Sequence, residues 1–154
     1  MSTLNVGTPE AAKPLEHRTH PNAASTARSL KAMEHMETTR HLEDRVRAVS
    51  LADSAAQAWA QARESPARHS AITLIKRDAL RVILIAMSDG SELPGHKVEA
   101  GFTVQMLRGK VRFRVEAEER ILSGGELFAV ARGLPHDLVA LEDSELLLTL
   151  GFPA

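Results

Sequence analysis

The sequence predicts an all-β domain, an antiparallel sandwich or barrel, preceded by an N-terminal helical segment. Three observations lead there. From Ala67 onward the chain passes through about eight short apolar stretches at regular spacing, several divided by turn-forming residues such as "SDGS", "LRGK", "SGGE", "ARGLP" and "LEDS". In "KVRFRVE", Val111, Phe113 and Val115 alternate with Arg112 and Arg114, the period-two pattern of a strand with one dry and one wet face. Nothing between the stretches is long enough for crossover helices, which argues against a parallel sheet. At 154 residues the chain suits one ordinary domain and is too short for two.

The elements follow in order. Residues 1–27 carry Pro9, Pro14 and Pro21 among small polar residues. Such a segment cannot bury enough apolar surface to offset its ordering entropy, so a disordered tail is expected. Residues 28–66 form the helical extension. Over 28–49 a sparse stripe of Leu30, Met33, Leu42, Val46 and Val49 predicts a short solvated helix. In "SLADSAAQAWAQARESP", Ser50 and Asp53 have capping spacing, Leu51, Ala55, Trp59 and Ala62 share a face, and Pro66 lies past the end. Trp59 is the expected anchor of that helix on the rest.

Residues 67–154 form the β domain. Its expected strands are "SAITLIK", "LRVILIAM", "LPGHKV", "FTVQML", "KVRFRVE", "ELFAVA", "HDLVA" and "ELLLTL". The charge run "EAEER" reads as a solvated hairpin end. Two strands, "VILIAM" and "ELLLTL", are apolar on both faces. Their second face needs a cover, either the Trp59 helix or the partner sheet of a homodimer, and a dimer is expected for at least one of them.

Composition removes several function classes. Lys plus Arg is 19 against 20 Asp plus Glu, so no basic excess exists to displace counterions from a nucleic acid or to hold a membrane surface. The absence of cysteine excludes disulfides, thiolate metal sites and a thiol nucleophile. Four Phe, one Trp and no Tyr leave little for a base-stacking platform. No apolar run follows a basic start, and the longest apolar stretch, Val82 to Met87, is far below a membrane span, so a soluble cytoplasmic protein is expected. No glycine-rich loop opens a helix and no nucleophile elbow occurs, so phosphate cradles and serine acyl transfer lack support.

Two spacings are informative. Gly90 is followed after five residues by His96, with Val98, Phe102 and Gly109 at later fixed intervals. Gly125 is followed by Ala131, Gly133, His136 and Ala140 at intervals of their own. These resemble the two signatures of the cupins, which run Gly-x5-His-x-His-x3–4-Glu-x6-Gly and Gly-x5-Pro-x-Gly-x2-His-x3-Asn. The glycines and one histidine per signature match; Val98 stands in the second histidine place and Phe102 in the glutamate place. The resemblance spans about residues 67–152. It implies a jelly-roll, or double-stranded β-helix, barrel, with the matched glycines in turns between strands.

The resemblance also implies that the histidine and glutamate places converge inside the barrel as ligands for iron, manganese, nickel or zinc. Such a site needs at least three protein ligands, and this chain supplies His96 and His136. Strand parity puts Val98, Phe102, Val104 and Met106 on the side of His96, and Leu138 on that of His136. The expectation is an apolar pocket holding two imidazoles, with no metal or a weakly held divalent one. Glu99 and His69 are the candidates for a third ligand; Gln105 has the wrong parity. His17, His20, His35 and His41 read as surface histidines.

Two functions are thereby expected. The first is a sensor or accessory module that binds a small, partly apolar organic ligand, or an enzyme resting on one histidine as a proton-transfer group. The alternative is a metal-dependent enzyme of dioxygenase, isomerase or lyase type that uses His96 and His136 as ligands.

Overall fold

The computed structural model describes residues 45–153. The expected tail over 1–27 and nearly all of the expected helix over 28–49 lie outside the described residues. Helix α1, Leu51–Glu64, starts where its cap predicts: the Ser50 hydroxyl accepts the Asp53 N–H at 3.2 Å. It stops at Ser65, because the Pro66 ring disfavours a helical conformation in the residue before it. The buried stripe is Ser54, Ala58 and Ala62, flanked by the half-buried Ala55 and Trp59, while Leu51, expected on this face, is exposed. Small side chains let the helix lie close to the sheet. Ser54 enters that contact at little cost because its hydroxyl donates to the Ser50 carbonyl at 2.8 Å.

Nine strands follow. They are β1 His69–Lys76, β2 Leu80–Met87, β3 Glu92–His96, β4 Gly101–Arg108, β5 Lys110–Val115, β6 Glu118–Ser123, β7 Leu127–Val130, β8 His136–Ala140 and β9 Ser144–Gly151. A five-stranded sheet has the order β1-β2-β9-β4-β7 and a four-stranded sheet the order β3-β8-β5-β6. Every pairing is antiparallel. This is a jelly-roll arrangement of two sheets around one core. β6 departs from the sequence reading: the hairpin turns at Glu116 and Ala117, and the rest of the charge run continues as an edge strand on which only Leu122 is buried. Charged side chains keep such an edge from pairing with other chains, and they also hide the alternation that would have marked it as a strand.

The core lies between the sheets and includes Ile85, Met87, Phe102, Val104, Met106, Val111, Phe113, Leu138, Leu146 and Leu150. A second cluster lies outside it, where Ala58 and Ala62 of α1 pack on Leu74, Leu84 and Ala86, with Val82 and Leu147 at its margin. Full burial of a leucine such as Leu84 contributes roughly 1.5–3 kcal/mol. So the second apolar face of β2, and Leu147 of β9, are covered by the chain's own helix, the first of the two covers the sequence allowed. Among the described residues no helix is long and apolar enough to cross a membrane.

Gly90, Gly109, Gly125 and Gly133 all adopt positive φ. Gly109, between β4 and β5, is the most constrained. At φ +84 a side chain would be strained, and a Cβ would fall 2.7 Å from the Ser144 Cα and closer still to the Asp143 carbonyl oxygen. The turn is close-packed because the buried Ser144 hydroxyl accepts the Lys110 N–H and reaches the Lys110 and Glu142 carbonyls.

Candidate functional site

One end of the barrel gathers the C-terminal end of β3 and the N-terminal ends of β4 and β8. Cross-strand register places His96 directly opposite His136, and opposed residues on antiparallel strands share a face of the sheet. The two imidazole rings accordingly meet edge to face, centroids 4.4 Å apart. Their surroundings differ. His136 is 5% exposed, whereas His96, at the end of a strand interrupted by Pro94 and Gly95, is exposed at the rim. A register shift between Leu93 and His96 carries β3 outward there.

Behind His136 is an aromatic tier. The Phe102 ring lies 4.8 Å from it and the Phe113 ring 5.7 Å, nearly parallel. Phe128 extends the tier, 5.4 Å from Phe113. Phe113 and Phe128 are the site residues that the glycine–histidine spacings do not reveal. The alternation in "KVRFRVE" already turned Phe113 inward, but nothing in the sequence brought β7 beside it. Val98 is half-buried against the same core. Val104, Met106 and Leu138 are buried in the packed interior. At about 3.3 Å per residue, Met106 lies about 13 Å along β4 from Phe102. Beside Phe128 a recess of about 580 Å³ opens between the β5–β6 turn and β7, with Val115, Phe128, Val130 and Leu134 on its apolar side and Glu116, Glu118 and Arg120 on its charged side.

Both imidazoles are held the same way. The Nδ1 of His96 lies 2.9 Å from the Pro94 carbonyl oxygen and that of His136 2.9 Å from the Leu134 carbonyl oxygen. Where Nδ1–H donates to that carbonyl, Nε2 keeps its lone pair. Burial pushes the His136 pKa below its ordinary value; the Leu134 carbonyl works against this, His96 adds to it, and Asp137 opposes it. The loops that carry these residues are joined where the Gly133 N–H donates to the Val98 carbonyl at 2.9 Å.

The donor set does not fit a resident divalent metal. Only two imidazoles meet, and the Phe102 ring packs on His136 where the resemblance would put a carboxylate, whereas a stable site takes at least three ligands. Neither third candidate joins them. Glu99 is exposed and lies 3.9 Å from Arg132, and the His69 Nδ1 lies 3.1 Å from the Ala67 carbonyl oxygen at the start of β1. Among the described residues no group of three or more His, Cys, Asp or Glu side chains comes together.

No protein-family model and no curated protein matches the chain. Solved structures do match. A cupin superfamily protein from Desulfitobacterium hafniense is 13% identical, covering 55% of this chain and 78% of its own, with a TM-score of 0.53. A conserved protein of unknown function from Streptococcus pyogenes is 23% identical over 58% of this chain and 79% of its own, with a TM-score of 0.55. KdgF from a Halomonas species is 22% identical over 58% and 84%, with a TM-score of 0.53. The shared feature is the cupin jelly-roll fold, which this chain has.

Proposed function

We propose that this cupin-fold domain binds a small, partly apolar organic ligand at the histidine end of the barrel, without a tightly held metal, as a sensor or accessory module. One observation carries the reading: a pair of touching imidazoles, one buried and one exposed, backed by phenyl rings of which the outermost, Phe128, also lines a partly apolar recess. Such a site offers apolar area together with a few convergent polar atoms, the usual make-up of a small-molecule pocket. In this reading His96, His136, Phe102 and Val98 meet the ligand, and Val104, Met106 and Leu138 form the packed floor beneath them.

The alternative, a metal-dependent enzyme, has one observation in its favour. Engaging Nδ1 with a carbonyl and leaving Nε2 available is how metal-binding histidines are commonly oriented. Among the described residues it still lacks a third ligand. A thermal-shift screen of small partly apolar compounds tests the preferred reading. Compounds that bind raise the melting temperature of the wild type, by about 2.7 kcal/mol of stability at a hundredfold excess over Kd, and lose that effect in a His96→Ala/His136→Ala variant. A screen in which no compound stabilises the wild type, or in which the variant responds equally, removes it.

A further inference from the structure

The opposite end of the barrel has a second opening, between α1 and the strand ends that carry Arg108 and Glu145, with a volume of about 760 Å³. That volume is within the range of small-molecule sites. Its wall combines Trp59 with Arg63, Arg68 and Arg108, facing the carboxylates of Asp143 and Glu145. Besides Trp59 and Arg63, the helix contributes only the small side chains of Ala52, Ala55 and Ala56 to it.

The carboxylates there are already engaged. One Glu145 oxygen accepts the Trp59 indole N–H at 2.6 Å and lies 3.2 Å from the Arg108 guanidinium, which also sits 5.4 Å from the Trp59 ring centroid. Asp143 accepts the Asp89 backbone N–H at 2.9 Å. Arg63 and Arg68 form no ion pair among the described residues. Arg63 is in the last turn of α1, where a cation suits the helix dipole. Arg68 has no such explanation. It adopts φ 60, a left-handed conformation that glycine takes at lower cost, and its backbone is fixed there by bonds to Ser65 and from Ser88 of 2.9 and 3.0 Å.

The geometry points to a binding site for a small organic anion, a carboxylate or phosphate carried on a compact apolar body. Arg63 and Arg68 supply the charge-assisted hydrogen bonds to the oxyanion. Trp59 and the alanines of α1 supply the apolar wall. The Arg108–Glu145 pair, held against the indole, fixes that wall in place.

Trp59 is the only tryptophan in the chain, so its fluorescence reports on this opening directly. The full chain is titrated with phenyl phosphate, with benzoate, and with benzyl alcohol as a neutral counterpart. The expected result is a saturable change with at least one of the anions, the responding one identifying the preferred oxyanion, and no change with benzyl alcohol. Arg68→Gly should weaken binding at least about tenfold, the loss of one hydrogen bond to a charged group, without lowering the melting temperature. His96→Ala/His136→Ala should titrate like the wild type. The proposal is overturned if neither anion saturates, if benzyl alcohol titrates as the anions do, or if Arg68→Gly binds as tightly as the wild type.

Discussion

Gly109 and Phe102 both occupy places in the same spacing pattern, and the structure uses them differently. Around Gly109 the turn from β4 to β5 is packed so closely that a methyl group has no room, and the Ser144 hydroxyl joins the neighbouring backbone there. Around Phe102, a ring fills the place of a carboxylate and packs on His136. The Gly109 turn fixes the path of the chain and leaves no room for a side chain. The Phe102 position lines the barrel, where the shape of the interior sets what fits. The chain path and the lining of the barrel are therefore set by different residues.

Substitutions can break or sharpen that contrast. The largest effect is expected at the turn: Gly109→Ala combines a left-handed backbone with backbone overlap and should cost several kcal/mol, on the order of 3 or more, in chemical denaturation. Gly133→Ala is the control, because φ is also positive there but no atom lies within 4 Å of the added Cβ. It should cost only about 1–2 kcal/mol. Equal losses at the two positions would mean that close packing around Gly109 contributes nothing. Next comes Trp59→Ala, which removes a half-buried indole and its bond to Glu145. The expected loss is about 2–3 kcal/mol, below the range for a fully buried ring.

The histidine end gives a smaller, pH-dependent effect. Burial holds the His136 pKa below the ordinary 6.5. Between that lowered value and 6.5 the unfolded chain takes up the proton more readily than the folded one. Stability should therefore be fully present above this window and decline as pH falls through it. Melting temperatures recorded from pH 7.5 to 5 should drop more steeply for the wild type than for His136→Asn; parallel curves would contradict the burial argument. The smallest effect is expected on the outer face of the four-stranded sheet. Arg114 and Asp137 pair at 2.6 Å, but the arginine side chain is 58% exposed, so Asp137→Asn should change stability by no more than about 1 kcal/mol.

Much of the fold was legible because its determinants are local. Period-two alternation, turn residues and the Ser50 cap each act within a few positions. β6 was hidden because an edge strand with one inward residue has no alternation to read. The buried face of α1 was displaced toward Ser54 and Ala58 because the sheet selects small residues for close approach, which hydrophobicity alone does not reveal. At the site, parity put Phe102, Val104, Met106 and Leu138 on the inner face, and all four are buried. It could not show that His96 stops at the rim, since that depends on the register shift beside Pro94 and Gly95. The Arg63–Arg68–Trp59 opening was not legible either. It joins a helix, a loop and the ends of two strands that are distant in sequence.

The central claim is that the histidine end binds an organic ligand and holds no resident metal, and metal content tests it most directly. Protein purified without an affinity tag should contain iron, manganese, nickel and zinc well below one equivalent by elemental analysis, with His96→Ala/His136→Ala indistinguishable from the wild type. One equivalent of any of these metals in the wild type, lost in the double variant, would contradict it.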